Sequence, residues 1–137
     1  MENGYQSKNE SIQTQQELDK FFMCLAYSTA MMHSDDPDTK SGCVIVLPDG
    51  RAINGTNRLP VGIRKTHERV TKPLKYEYLE HCERDAIHRA QQDVSGSTLY
   101  VNWKPCMQCA CAMINAGIKR VVILELPLPK GRGFFLQ

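Results

Sequence analysis

Two short motifs constrain this chain more than its composition does. His81 and Glu83 stand two residues apart, and Cys106 and Cys109 stand three apart behind Pro105. An imidazole and two thiolates form a ligand set suited to zinc, and three protein ligands leave a fourth position for water. A metal held in that way makes hydroxide available near neutral pH. For the three groups to meet, His81 and Glu83 must occupy the first turn of one helix and Cys106 and Cys109 the first turn of another. Two helix starts then converge on one point. The positive end of a helix favours the deprotonated sulfur that a metal requires, and Pro105 suits a helix start, where no backbone N–H is needed.

Each half of the pattern has a plainer reading. A C-x-x-C pair alone is a structural zinc half-site or a redox pair, and a histidine at a helix start is commonly a surface or capping residue. Together they are far more specific, because Glu83 beside His81 supplies an acid that is not a ligand. Such a carboxylate can take a proton from water and deliver it elsewhere.

With 137 residues and 42% hydrophobic content, the chain suits one domain with one core. Residues 1–16 are polar, rich in Gln, Asn and Ser, and are set apart as a flexible segment, with residues 17–137 as a single zinc domain. That segment lacks the basic-then-apolar order of a secretory signal. The longest apolar runs, Cys43–Leu47 and Val121–Leu126, fall far short of the roughly 20 residues needed to cross a bilayer. A soluble cytoplasmic protein without a membrane partner is expected. Six cysteines could suggest three disulfides, but with a C-x-x-C pair and no secretory segment, two metal ligands and four reduced thiols are the expectation. The 17 basic and 15 acidic residues give a net charge of +2 without a basic patch, which argues against a long nucleic acid as partner.

From about Glu17 to His33, apolar residues at Leu18, Phe21, Phe22, Leu25 and Thr29 or Ala30 predict an amphipathic helix, stopped by Asp35-Asp36-Pro37. Cys43–Leu47 and Arg51–Thr56 flank Pro48-Asp49-Gly50 and read as a hairpin, its first strand the more buried. Asn57 to about Tyr76 has no sustained period and reads as a long functional loop with one helical turn. A helix from His81 to about Gln92, a strand at Thr98–Trp103, a helix from Cys106 to about Ala116 stopped by Gly117, and a strand at Ile118–Leu126 complete the order α-β-β-α-β-α-β. The two β-α-β units predict parallel neighbours among the later strands and helices on both faces. The apolar end Phe134-Phe135-Leu136 is a candidate to dock across a subunit boundary.

The segment Lys75-Tyr76-Glu77-Tyr78-Leu79-Glu80-His81-Cys82-Glu83-Arg84-Asp85-Ala86-Ile87 resembles the H-A-E-x-N-A-I block of the cytidine and deoxycytidylate deaminase family. Gly42-Cys43-Val44-Ile45, Asp49-Gly50 and Gly55-Thr56-Asn57-Arg58-Leu59-Pro60-Val61-Gly62 resemble its deoxycytidylate branch, and H-x-E with P-C-x-x-C is the signature of nucleobase deaminases. Cys82 stands where alanine is usual and Asp85 where asparagine is. The resemblance covers about Leu18 to Leu126. It implies an α/β fold, a cytidine deaminase-like α-β-α sandwich with a mixed sheet of about 4–5 strands. It further implies Zn2+ on His81, Cys106 and Cys109, Glu83 as proton shuttle, Asn57 on the substrate's sugar, the backbone amide of Cys82 on the pyrimidine carbonyl, and a homo-oligomer.

A nucleotide substrate needs cations, and Arg58, Arg64, Lys65 and Lys104 sit on or beside the loops expected to rim the site, with Arg58 and Lys104 the phosphate candidates. Trp103 is a candidate pocket wall. The leading expectation is hydrolysis of dCMP to dUMP and ammonia, with dCTP and dTTP as possible effectors. Its rivals are deamination of cytosine, cytidine or guanine, and a non-catalytic zinc-binding regulator of the same fold.

Overall fold

The computed structural model describes residues 4–124, with side chains from residue 14 onward. Helix α1 (Gly4–His33) leads into strands β1 (Gly42–Val46) and β2 (Ala52–Thr56). A single 3-10 turn at Glu68–Val70 and the short helix α2 (Lys75–Tyr78) follow, then α3 (Cys82–Ala90), β3 (Thr98–Val101), α4 (Met107–Asn115) and β4 (Arg120–Ile123). The predicted order therefore holds, with the long loop carrying the turn and α2. The end of the predicted last strand beyond Leu124, and Phe134-Phe135-Leu136, lie outside the described residues.

The four strands are ordered β2-β1-β3-β4. β1 pairs antiparallel with both β2 and β3, and β3 pairs parallel with β4. The expectation of parallel neighbours thus holds for β3-α4-β4 and fails for β2-α3-β3. β2 and β3 do run the same way, but β1 lies between them. The sequence pattern marks strands and helices without saying which strand occupies the middle of a sheet, and β1, buried at Gly42, Cys43, Val44 and Ile45, occupies it here.

Side chains alternate across the sheet with the period of two that a strand imposes. Cys43, Ile45, Leu99 and Val101 face Cys82, Ala86 and Ala90 of α3 and Met113 of α4. Val44 and Tyr100 face Ala26 of α1, with Phe22 packed alongside. Helices therefore cover both faces, α1 on one and α3 and α4 on the other. The inward face of α1 keeps the predicted Phe22, Leu25, Thr29 and Ala30 and adds Ala26, whereas Leu18 and Phe21, also predicted to face inward, point outward. Small residues won because the backbone of β1 approaches so closely, a Cβ at Gly42 being unable to avoid Ala26 and Ala30. α1 also begins at Gly4, well before Glu17, and runs through the polar segment.

Two close approaches place the later helices. At Gly55 a Cβ would collide with Cys82 O and with Ala86, so glycine lets the first turn of α3 lie directly on β2. α3 stops at Ala90, close to the predicted end at about Gln92, because Gln91 is left-handed, with φ 49°. α4 stops as predicted: Gly117 has φ 83°, and Ile118 N donates to Met113 O at 3.0 Å. The starts of α3 and α4 come together beyond the carboxyl ends of β2 and β3.

Candidate active site

His81 is the extended residue immediately before α3, and Cys106 has the same position before α4. Cys106 Sγ accepts from Cys109 N at 3.4 Å, so the sulfur caps the helix that carries the next cysteine. The loop leading there is pinned by the strand ends. Asn102 accepts from Gly42 N at 2.8 Å and donates to Lys40 O at 3.1 Å, and Trp103 Nε1 donates to the same carbonyl at 2.7 Å.

These constraints bring His81 Nδ1 to 3.4 Å from Cys106 Sγ and 3.3 Å from Cys109 Sγ. Tetrahedral zinc, with bonds of about 2.3 Å to sulfur and about 2.0 Å to nitrogen, sets such atoms about 3.5 Å apart. The residues therefore fit the metal in donor type and in spacing, and no other His, Cys, Asp or Glu group among the described residues is clustered closely enough to hold an ion. Burial pushes the Cys109 thiol up, with Glu83 and the Cys106 sulfur adding to it and Arg84 opposing. A metal must displace a proton there, so its affinity rises with pH.

Glu83 is 4% exposed, yet its carboxylate borders a cavity of about 350 Å³ together with His81 and Cys106. Its Oε1 accepts from Cys82 Sγ at 3.2 Å. Burial raises the Cys82 thiol well above its ordinary range, as does contact with Cys43, so both behave as inert packing groups and not as reactive thiols. Cys82 is the first residue of α3, where the backbone N–H has no partner within the helix and remains available to an acceptor. Asp85, in the same helix, accepts from Thr56 N at 3.1 Å, Arg58 Nε at 2.9 Å and Arg89 Nε at 2.9 Å. Two guanidinium groups thus neutralise the carboxylate that stands in place of the usual asparagine.

That contact bears on one predicted site residue. Arg58 is held on Asp85 and does not line the cavity, because its nearest strong acceptor lies across on α3. Arg64 and Lys65 do not line it either, the Lys65 ammonium standing 3.7 Å from Asp35. Lys104 and Trp103 do, as expected. Asn57 lines it too, but most of its amide is engaged within the protein. Its oxygen accepts from Ser34 Oγ and from Ser41 N at 3.1 Å, while its nitrogen donates to Thr39 O at 2.7 Å. One N–H remains for a ligand.

Asp36, Lys72 and Lys75, which no sequence motif marked as site residues, also stand on the cavity wall. Lys75 and Asp36 form an ion pair at 3.0 Å with side chains only 6% and 5% exposed. Asp36 Oδ1 also takes Asp38 N at 2.9 Å and Thr39 N at 3.1 Å, so the pair shapes the loop whose Thr39 carbonyl holds Asn57. The one clue in sequence was a lysine set among aromatic residues just ahead of His81.

The profile described as the cytidine and deoxycytidylate deaminase zinc-binding region matches residues 16–125. Deoxycytidylate deaminase of Homo sapiens is 34% identical over 118 residues, covering 80% of this chain and 65% of the human one, so the chain spans just under two-thirds of that relative. Riboflavin biosynthesis protein RibD of Actinobacillus pleuropneumoniae is 28% identical over 134 residues, 91% of this chain and 31% of the relative. The crystal structure of dCMP deaminase from the cyanophage S-TIM5 in complex with dCMP and dUMP superposes with a TM-score of 0.65 over 78% of this chain and 80% of the other, at 23% identity. The shared fold is the cytidine deaminase-like α/β sandwich.

Proposed function

The chain belongs to the cytidine and deoxycytidylate deaminase family, and from that premise we propose that it hydrolyses dCMP to dUMP and ammonia. The observation that carries this reading is the meeting of His81, Cys106 and Cys109 beside the buried carboxylate of Glu83 in one cavity. Zinc in that triad would supply hydroxide from water near neutral pH. Glu83 would take one proton from the attacking water and pass it to the ring nitrogen as the C–O bond forms at the amino-bearing carbon, then move the second proton, from the new hydroxyl, to the leaving amine as the C–N bond breaks and the carbonyl forms. Its burial keeps bulk water from competing for these protons. In this reading the backbone N–H of Cys82 holds the pyrimidine carbonyl, and the remaining N–H of Asn57 the sugar.

Charge on the wall supports a phosphorylated substrate. Asp36 is offset by Lys75 and Glu80 by Arg84, the latter pair at 2.9 Å. Lys72 and Lys104 also stand on the cavity wall, and we assign them to the phosphate in place of Arg58. The six cysteines are free, in keeping with a reducing cytoplasmic setting. No helix among the described residues is long and apolar enough to cross a membrane. A homo-oligomer responsive to dCTP or dTTP completes the reading, as the family resemblance implies.

Ammonia release from dCMP, deoxycytidine, cytosine and guanine tests the proposal. Turnover of dCMP should exceed that of the others, and Lys72→Met should raise KM for dCMP while leaving deoxycytidine unaffected. Preference for an unphosphorylated substrate would reject the nucleotide assignment.

A further inference from the structure

Arg84 stands between the two halves of the metal site. Its Nη2 lies 2.9 Å from Glu80 Oε1, and that same oxygen accepts the backbone N–H of His81 at 2.9 Å. Its Nη1 donates at 3.3 Å to Oε1 of Gln108, the residue between Met107 and Cys109 in the first turn of α4. One planar guanidinium therefore spans from the carboxylate that fixes the backbone of the histidine ligand to the helix turn that carries the cysteine ligands. The side chain is about three-quarters buried, and its Nε is buried with no acceptor among the described residues. Two arms, one to Glu80 and a more exposed one to Gln108, hold the group.

Geometry makes this contact consequential. His81 and Cys106 are 25 residues apart, joined through β3, and each belongs to a different helix start. The ligand atoms must keep a separation of about 3.5 Å for one ion to satisfy all three. An arginine fork suits that task because its donors are fixed relative to one another, whereas a lysine offers a single point of charge. Groups that orient metal ligands through one intervening contact commonly govern retention of the ion.

We propose that Arg84 is a positioning residue for the metal, a brace that holds the helix start of His81 against that of Cys106 and Cys109. The inference rests on reading those three residues as one zinc site, and it does not depend on which substrate is turned over. Arg84→Met preserves much of the stem and removes both arms, and Gln108→Ala removes one.

The test is zinc release from the loaded protein to excess chromogenic chelator. Arg84→Met should release the metal roughly ten- to a hundredfold faster than the unaltered chain. Gln108→Ala should show a smaller acceleration, Arg84→Lys should restore little, and the double variant should be no faster than Arg84→Met. Melting of the metal-free proteins should differ little. Release from Arg84→Met and Gln108→Ala indistinguishable from the unaltered protein would overturn the brace alone. A faster release matched by an equal loss of metal-free stability would make Arg84 a general structural residue and overturn it as well. Failure of the unaltered chain to bind zinc would instead reject the metal site itself, and the brace with it.

Discussion

The metal corner takes its ligands and its acid from the starts of two helices, Glu83 two residues after His81 and Cys109 three after Cys106, whereas the facing wall is assembled from loops and the short helix α2. On that wall Asp36 reaches Lys75 across 39 positions, and Thr39 reaches Asn57 across 18. The corner holds soft donors and an acid beside the reacting atoms. The wall holds a buried ion pair and an amide relay that shape the space for the rest of the substrate. Chemistry and recognition are therefore carried by separate parts of the fold, and they should separate in kinetics: damage to the corner should lower kcat, and damage to the wall should raise KM.

The largest effect should come from Glu83→Gln. The amide keeps the size of the carboxylate and leaves the ligands in place, but it cannot carry the proton. Loss of one positioned acid-base group costs about 10²- to 10⁴-fold in kcat, so turnover should fall by that much while zinc content stays stoichiometric. Steady-state kinetics with metal analysis on the same preparation checks both. Turnover retained at full zinc would end the assignment of the corner to catalysis and would favour a non-catalytic zinc-binding role.

Next comes Lys75→Met. Removing one partner of a buried pair strands the other charge, which typically costs about 3–5 kcal/mol. Chemical denaturation should show a loss of that order, and Asp36→Asn in the same background should recover part of it, since the amide oxygen can still accept from Asp38 N and Thr39 N. In the double variant, KM for dCMP should remain raised with kcat nearly unchanged, because the Thr39 carbonyl no longer sets Asn57 as firmly. A fall in kcat at unchanged KM would collapse the division between corner and wall.

This division also decides what could be read from the sequence. His81, Glu83, Cys106 and Cys109 were legible because a helix turn converts short spacing into proximity. Asp36 and Lys75 were not, since their pairing depends on how a loop without periodicity folds back. Asp36 looked like part of a helix stop, and Lys75 like one charge among several. Arg58 was read as facing a phosphate because nothing in the chain announced that Asp85 would stand opposite. Helix positions along the chain were largely recoverable, but the face of α1 only in part, since Leu18 and Phe21 turn outward and Ala26 was not foreseen. More apolar residues lie on it than the sheet can cover, and the contact went to Ala26 and Ala30 because only small side chains allow the close approach to Gly42.

The smallest effect belongs to an ion pair away from both parts of the cavity, and it serves as their control. Arg120 Nη1 donates to Asp19 Oδ1 at 2.9 Å, joining α1 to β4, and Tyr100 OH donates to the same carboxylate at 2.6 Å. The Arg120 guanidinium holds the Asp19 carboxyl well below its ordinary range against the opposing effect of burial, and Tyr100 is pushed up to about 12 by burial and then by Asp19. Tyr100 therefore keeps its proton and keeps donating. For a carboxylate whose folded pKa is depressed, the added stability is fully present above the unfolded value of about 4 and disappears as pH falls toward the folded value. Because Arg120 is 42% exposed and Asp19 23%, screening limits the pair to about 1 kcal/mol. Urea titrations of the unaltered chain and Asp19→Asn should thus differ by a constant small amount from pH 7 to about pH 5, begin to approach each other near about pH 4, and draw together as pH falls further toward the depressed folded value. Neither kcat nor KM should move at neutral pH. A change in either would mean that α1 is coupled to the cavity, and that two separable regions are too few.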